Sequence, residues 1–345
     1  MKQDRTDWLN ERRKGIGGSD VAAVLGLNPW RTPLDVYKDK VGESDKKVSD
    51  EEAVHFGTML EDLVAKEFQS RTGMKIQKVN HQFSDKENPW MIANIDRAII
   101  NIDIAKRVWP LIDPTADEIE KYGDRPLTTD IALECKTCNA FKANQWSPSQ
   151  EEDIKKGLVL ADDHEIPIYY ETQIQWYCGV LKLRGMYLAV LIGGCDYRIY
   201  WVPFNPDVFE ILKQKCSEFW HEHVLKRVPP DPATTEDVVA MFPQSNGLSI
   251  EADQEMVLAY GEYSRINGEI KNLTRQLEEY KQKLTTGMKD NEVLTVAGEK
   301  VLTFKTQSRR TLDTKSIKEE DPDLYQELQD NYYKESTIRV LRLCA

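Results

Sequence analysis

The run Ile131-Ala132-Leu133-Glu134-Cys135-Lys136 constrains the fold more than any other segment of the chain. It reads as a strand, and in a strand successive side chains point to opposite faces. Ile131, Leu133 and Cys135 then face one way, and Ala132, Glu134 and Lys136 face the other. A carboxylate and an ammonium therefore project side by side. On a solvated sheet face such a pair is an ordinary salt bridge, so the meaning of Glu134-Cys135-Lys136 depends on its neighbours.

Two further carboxylates precede it. From about Asp50 to Thr72 the pattern is helical, with Phe56, Leu60, Leu63, Val64 and Phe68 as one apolar stripe and Glu61 at its margin. At about 100° per residue Glu67 falls closer still to the stripe, so both acids are candidates to point inward. Lys75–Phe83 and Trp90–Ile95 read as strands, with Asp96 where the second meets its turn. Carboxylates that gather around a lysine suit phosphodiester hydrolysis. They hold a divalent cation that polarises the phosphoryl oxygen, while the lysine orients water or offsets developing charge.

The 345 residues carry a net charge of −12, which argues against a protein that coats nucleic acid by overall electrostatics. Short basic tracks remain at Arg12-Arg13-Lys14, Lys106-Arg107, Lys136 with Lys142, Lys182 with Arg184, and Arg309-Arg310. No apolar stretch reaches the roughly eighteen residues of a membrane span, and the charged start does not resemble a secretory leader. A cytoplasmic protein without a membrane partner is expected. Six cysteines are scattered and imply no disulfide framework. Cys135 and Cys138 form a C-x-x-C with no second ligand pair, and free thiols are expected there.

An N-terminal helix around Asp7–Lys14 runs into Gly15-Ile16-Gly17-Gly18, after which Ser19 or Asp20 is expected to cap a helix. Free backbone N–H groups at such a start suit an anion. Asn28-Pro29-Trp30 ends that helix, and Thr32 or Pro33 opens another. Residues 103–130 form an acidic, proline-containing insertion. Ile166–Leu181 reads as a helix with Gln173 among tyrosines. Strands at Met186–Ile192 and Arg198–Val202 and a helix from Pro206 to about Arg227 follow. Pro229-Pro230-Asp231-Pro232 ends this domain, giving an expected division into residues 1–228, a linker over 229–248 and a module over 249–345. In the module, Met256 to Leu284 keeps a three-four apolar spacing over about four heptads, the seam of a coiled coil. Short strands are expected near Leu294, Val301 and Ile338.

Taken in order, these motifs resemble the PD-(D/E)XK nucleases, and among them the phage recombination exonucleases of the YqaJ and lambda exonuclease type, over roughly residues 8–225. Arg12 with Ile16-Gly17-Gly18-Ser19-Asp20 resembles the phosphate-binding segment of that family. Phe56-Gly57 followed by Glu61 resembles its helical acid motif, Asp96 its strand aspartate, and Glu134-Cys135-Lys136 its signature tripeptide. Gln173 resembles its helical glutamine, with Gln175 as a near alternative. Asn94-Ile95 stands where a proline is usual.

The resemblance implies a restriction-endonuclease-like α/β core, a central mixed sheet flanked by helices, followed by the coiled-coil helix and small α+β module. It implies a Mg²⁺-dependent exonuclease, with Mn²⁺ as a substitute, that degrades one strand of linear double-stranded DNA from 5′ ends. The absence of a P-loop agrees with hydrolysis that needs no ATP. Asp96, Glu134 and Glu61 would bind metal, Lys136 and Gln173 would place the water, and Arg12 and Ser19 would grip a phosphate. It further implies a homo-oligomer such as a ring-shaped trimer, a phage single-strand annealing protein as partner, and a phage or prophage origin within a bacterial cell. Two rivals are an iron–sulfur nuclease of the RecB or CRISPR-adaptation kind using Cys135 and Cys138, and a catalytically idle DNA-binding scaffold.

Overall fold

The computed structural model describes residues 11–44, 51–156, 165–333 and 339–343. The expected start of the first helix at Asp7, the strand near Ile338 and Cys344 lie outside them. Two compact units divide after Val238.

The first unit opens with the two-residue strand β1 (Ile16–Gly17), then helices α1 (Gly18–Val24), α2 (Pro33–Val41) and α3 (Glu51–Thr72). Four short strands follow: β2 (Ile76–Gln77), β3 (Phe83–Ser84), β4 (Met91–Ala93) and β5 (Arg97–Ile99). Helix α4 (Ala116–Tyr122) precedes the long strand β6 (Ile131–Cys138), and α5 (Glu151–Lys156) and α6 (Ile168–Leu181) lead to β7 (Gly185–Ile192). Strand β8 (Asp196–Pro203) and helix α7 (Pro206–Glu218) follow, and the division falls within helix α8 (Thr235–Met241).

The expected mixed sheet with flanking helices is present. Its order is β2-β5-β6-β7-β8, with β6 and β7 parallel and the other pairs antiparallel. Parallel neighbours need a crossover, and α6 lies within it. On one face Val64, Ala65 and Phe68 of α3 pack against Ile131, Leu133 and Cys135 of β6, the side expected for those three residues. On the other lies α6, whose residues from Thr172 to Leu181 are almost all buried. A helix apolar on every side belongs in a core, and this one is wedged among α1, α7 and the sheet. At Gly18 a side chain would stand 2.6 Å from the Tyr177 ring, so only glycine lets α1 start this close to α6.

Three expectations are corrected. The segments 75–83 and 90–95 are not two continuous strands: β2 joins the five-stranded sheet, β3 and β4 form a separate sheet with β1 in the order β1-β4-β3, and the antiparallel neighbour of β6 is Arg97–Ile99. The chain bends at Asp96, and the strands on either side of the bend, β4 and β5, belong to different sheets. The α3 stripe is also incomplete. Phe56 and Leu63 are each 54% exposed, because only the Val64–Phe68 portion packs on the sheet core. Gly17, not Ser19 or Asp20, caps α1, and Asp20 accepts the Gly17 N–H at 3.2 Å from the third helical position. The insertion over 103–130 has a small core of its own, Ala105, Leu111 and Tyr122, with α4 capped by Thr115.

In the second unit the expected heptad segment is helix α9 (Gln254–Met288), 35 residues long, or roughly 50 Å at about 1.5 Å per residue. Its seam residues Tyr263, Ile266, Ile270, Leu273, Leu277 and Leu284 are exposed. A hairpin of β9 (Val293–Val296) and β10 (Glu299–Thr303) turns through Ala297 and Gly298, both at positive φ. Two helices that the sequence reading missed, α10 (Thr314–Glu320) and α11 (Pro322–Tyr332), follow, each begun by an aspartate cap.

Candidate active site

The β5–β6 register pairs Arg97 with Leu133, and one residue further along, Asp96 comes opposite Glu134. The Cys135 N–H donates to Asp96 Oδ2 at 2.8 Å, tying the bend to the strand. From the other side α3 brings Glu61. Gly57, Thr58, Glu61, Asp96, Lys136 and Thr137 line a cleft of about 270 Å³. Glu134, two residues before Lys136 on β6, is 2% exposed and is reached from α6 by Gln173.

The polar network is specific. Glu134 Oε1 accepts from Lys136 Nζ at 2.5 Å and from Gln173 Nε2 at 2.7 Å. Gln173 Nε2 also donates to the Tyr177 hydroxyl at 3.2 Å. Glu134 Oε2 is buried with no hydrogen-bond partner. Burial, then the charges of Glu134 and Glu61, push the Asp96 carboxyl up to about 8, against the pull of Lys136. Burial raises the Glu134 carboxyl as well. For Lys136 burial alone would lower the pKa, but the Glu134 and Asp96 charges outweigh it and hold the ammonium above its ordinary value. Two carboxyls that resist ionisation beside an unpartnered oxygen are costly in isolation. Hard carboxylate oxygens are also the donors that Mg²⁺ or Mn²⁺ takes, so Asp96, Glu134 and Glu61 fit such an ion. Among the described residues no three acids, histidines or cysteines converge as a finished cage, and Glu61 is turned toward Arg97, 2.5 Å away.

Arg97 went unnoticed in the sequence. It is 4% exposed and also pairs with Asp62 and donates to the Asp96 carbonyl at 2.5 Å. Its position directly after Asp96 was the available signal. Tyr177 was a second omission. The alternatives Glu67 and Gln175 lie elsewhere. Glu67 pairs with Arg71 at 2.7 Å, and Gln175 clips Pro203 and Asn205 at the end of β8.

Arg12 and Ser19 are brought together, the guanidinium donating to the hydroxyl. Behind them Asp20, fully buried, binds Lys40 at 2.7 Å and Arg31 at 2.8 Å, with Arg12 at 3.9 Å. Burial alone would raise the Asp20 carboxyl, but these three cations hold it far below the usual carboxylate range. Lys40 and Arg31 were not anticipated.

Cys135 and Cys138 lie three residues apart on one regular strand, so they point to opposite faces. Cys135 packs in the α3-side core and Cys138 donates weakly to the Asn139 carbonyl at 3.5 Å. This geometry does not let the two thiols grip one iron or zinc.

The YqaJ-like viral recombinase domain matches residues 7–183. The uncharacterized protein YqaJ of Bacillus subtilis (strain 168) is 30% identical over 335 residues, covering 95% of this chain and 92% of the relative. Among solved structures, the alkaline exonuclease LHK-Exo of Laribacter hongkongensis aligns with a TM-score of 0.43 and 14% identity, over 65% of this chain and 94% of its own. A phage-related exonuclease from Haemophilus somnus 129PT aligns at 0.35 and 10% identity, over 62% and 96%. These structural likenesses are too loose to carry an argument. The family match spans just over half the chain and the Bacillus relative nearly all of it, and on these two findings the chain belongs to the YqaJ-like viral recombinase domain family.

Proposed function

We propose that the protein is an ATP-independent, Mg²⁺-dependent exonuclease that degrades one strand of linear double-stranded DNA from 5′ ends. The unpartnered Oε2 of Glu134, set beside the raised carboxyl of Asp96, carries this reading. A cation held by Asp96, Glu134 and Glu61 would supply Lewis-acid polarisation of the phosphoryl oxygen and lower the pKa of water. The roles of the side chains follow from their own electrostatics. A general base works best with a pKa near the operating pH, whereas Lys136 is held protonated by two carboxylates. Its part is therefore to orient water and offset charge on the phosphate. Gln173 fixes Glu134 Oε1 from α6. Arg12 and Ser19, backed by Asp20, grip a terminal phosphate.

Family membership supports a setting in phage-type homologous recombination, where the overhang passes to a single-strand annealing protein. A ring-shaped trimer within the bacterial cytoplasm completes the proposal. The test uses linear duplex labelled at either end, with Mg²⁺ or a chelator, scored for label position and product length. Wild type should release the 5′ label first, and Lys136→Ala should be slower by roughly a thousand-fold or more, as loss of a charge-stabilising group implies. Near-normal hydrolysis by a folded Lys136→Ala protein would remove the assignment.

A further inference from the structure

An aromatic ladder leads outward from Lys136. Its ammonium lies 5.2 Å from the Tyr170 ring centroid, Tyr170 meets Tyr169 at 4.5 Å, and Tyr169 meets Trp30 at 5.0 Å. Lys142 Nζ then stands 4.0 Å from the Trp30 ring. Trp30 is 55% exposed, and Phe141, next to Lys142 on the same turn, is 93% exposed. The ladder has a buried footing, since Tyr170 packs on Trp146 at 5.6 Å and Trp146 stacks on Tyr200.

The exposed rings are presented by braced loops. Asn28 Oδ1 accepts the N–H groups of both Trp30 and Arg31, and the Arg31 side chain is anchored on buried Asp20. Asn139 Oδ1 accepts the Phe141 N–H at 3.0 Å. An exposed aromatic is common singly. A row of them on braced turns, interleaved with lysines and ending at a phosphodiester site, is how single strands are held: bases stack on rings and phosphates meet ammonium groups. Aromatic rings have no preference among bases, which suits an enzyme that must read through any sequence.

We propose that Trp30, Tyr169 and Phe141, with Lys142 among them, form a base-stacking platform for single-stranded DNA adjoining the cleft. The proposal rests on the nuclease reading for its biological sense, but its test needs neither metal nor cleavage. Full-length protein in chelator is titrated with a fluorescent thymidine oligonucleotide and with an abasic strand of equal length, which keeps the phosphates and lacks the bases. Wild type should bind the thymidine strand at least about tenfold more tightly, within the range of one or two stacked bases. The double variant Trp30→Ala with Phe141→Ala should lose that preference, Trp30→Phe should keep it, and Lys142→Gln should weaken both strands and lower the salt dependence. Unaltered thermal melting of these exposed-site variants excludes unfolding as the cause. Equal affinity of wild type for both strands, or a double variant that still prefers bases, would overturn the platform. A protein that shows the base preference but never cuts duplex would refute the nuclease reading and leave the platform standing.

Discussion

The guanidinium of Arg97 holds Glu61 at 2.5 Å, so the residue after the strand aspartate positions the helical acid. Arg97 is nearly fully buried and pairs with Asp62 as well. Its removal leaves the partly exposed Glu61 and Asp62 to Lys78 and solvent and empties a buried position, which costs about 1–2 kcal/mol. Arg97→Ala should therefore destabilise by that amount in urea titration, and the double variant with Glu61→Ala should recover part of the loss. Strict additivity would show that the pair is uncoupled. In cleavage assays Glu61→Gln should slow the reaction more than Glu67→Gln, whose partner Arg71 belongs to a surface network.

The pH dependence of stability follows from Asp96. Its folded pKa of about 8 lies above the ordinary carboxylate value, so protonation favours the fold. That contribution is complete below about pH 4 and is lost as pH rises through 8; Glu134 shifts in the same direction. In chelator the melting temperature of wild type should fall between pH 5 and 8, whereas Asp96→Asn should fall less and be the more stable protein at pH 8. The difference should exceed about 1 kcal/mol, since one unit of displacement is worth ~1.4 kcal/mol. Mg²⁺ or Mn²⁺ should raise wild type and leave the variant unchanged. Parallel pH profiles for the two proteins would contradict the shift.

On the proposed roles Arg12 recognises the DNA end and Asp20 supports it. Arg12→Ala should shrink the rate advantage of 5′-phosphorylated over 5′-hydroxyl duplex while preserving the metal requirement, because a guanidinium favours the doubly charged end. Asp20→Asn strips three cations of their shared partner and should lower stability by roughly 3 kcal/mol or more, besides losing end preference. An Arg12→Ala protein with an unchanged ratio would move the pocket elsewhere.

Truncation distinguishes the two units. Asp237 accepts from Thr32 at 2.9 Å and from the Ala233 and Thr234 N–H groups, so residues up to Val238 brace the first unit. A chain ending after Gln244 should keep metal-dependent cleavage of short duplexes but lose mass by light scattering or processivity on long ones. One ending after Pro232 should melt lower because Thr32 loses its partner. A folded Gln244 truncation without any cleavage would assign part of the active site to the second unit.

Much of the site was legible because its chemistry resides in short-range signals. Glu134 and Lys136 share a face through strand alternation alone, and the Val64–Phe68 stripe faces the core as its spacing requires. What escaped was long-range. Nothing local announces that the chain switches sheets at Asp96: the turn there was legible, but not the strand Arg97–Ile99 beyond it that pairs with β6. Arg97, Lys40 and Arg31 look like surface cations in sequence; only the fold reveals the acids they meet. Gly57 to Leu63 looks like buried helix because periodicity records a face and cannot say where the sheet beneath it stops.

The contact at Gly18 has a consequence for step size. Ser19 follows Gly18 directly, and a side chain built on Gly18 would meet Tyr177 at 2.6 Å and Gln173 Cγ at 3.0 Å. Gln173 in turn bonds Glu134. One packed layer thus links the start of α1, where Ser19 stands, to Glu134. On the proposed roles that layer sets the spacing between a terminal phosphate and the bond to be broken, and product length should follow from the fold, not from the sequence being digested.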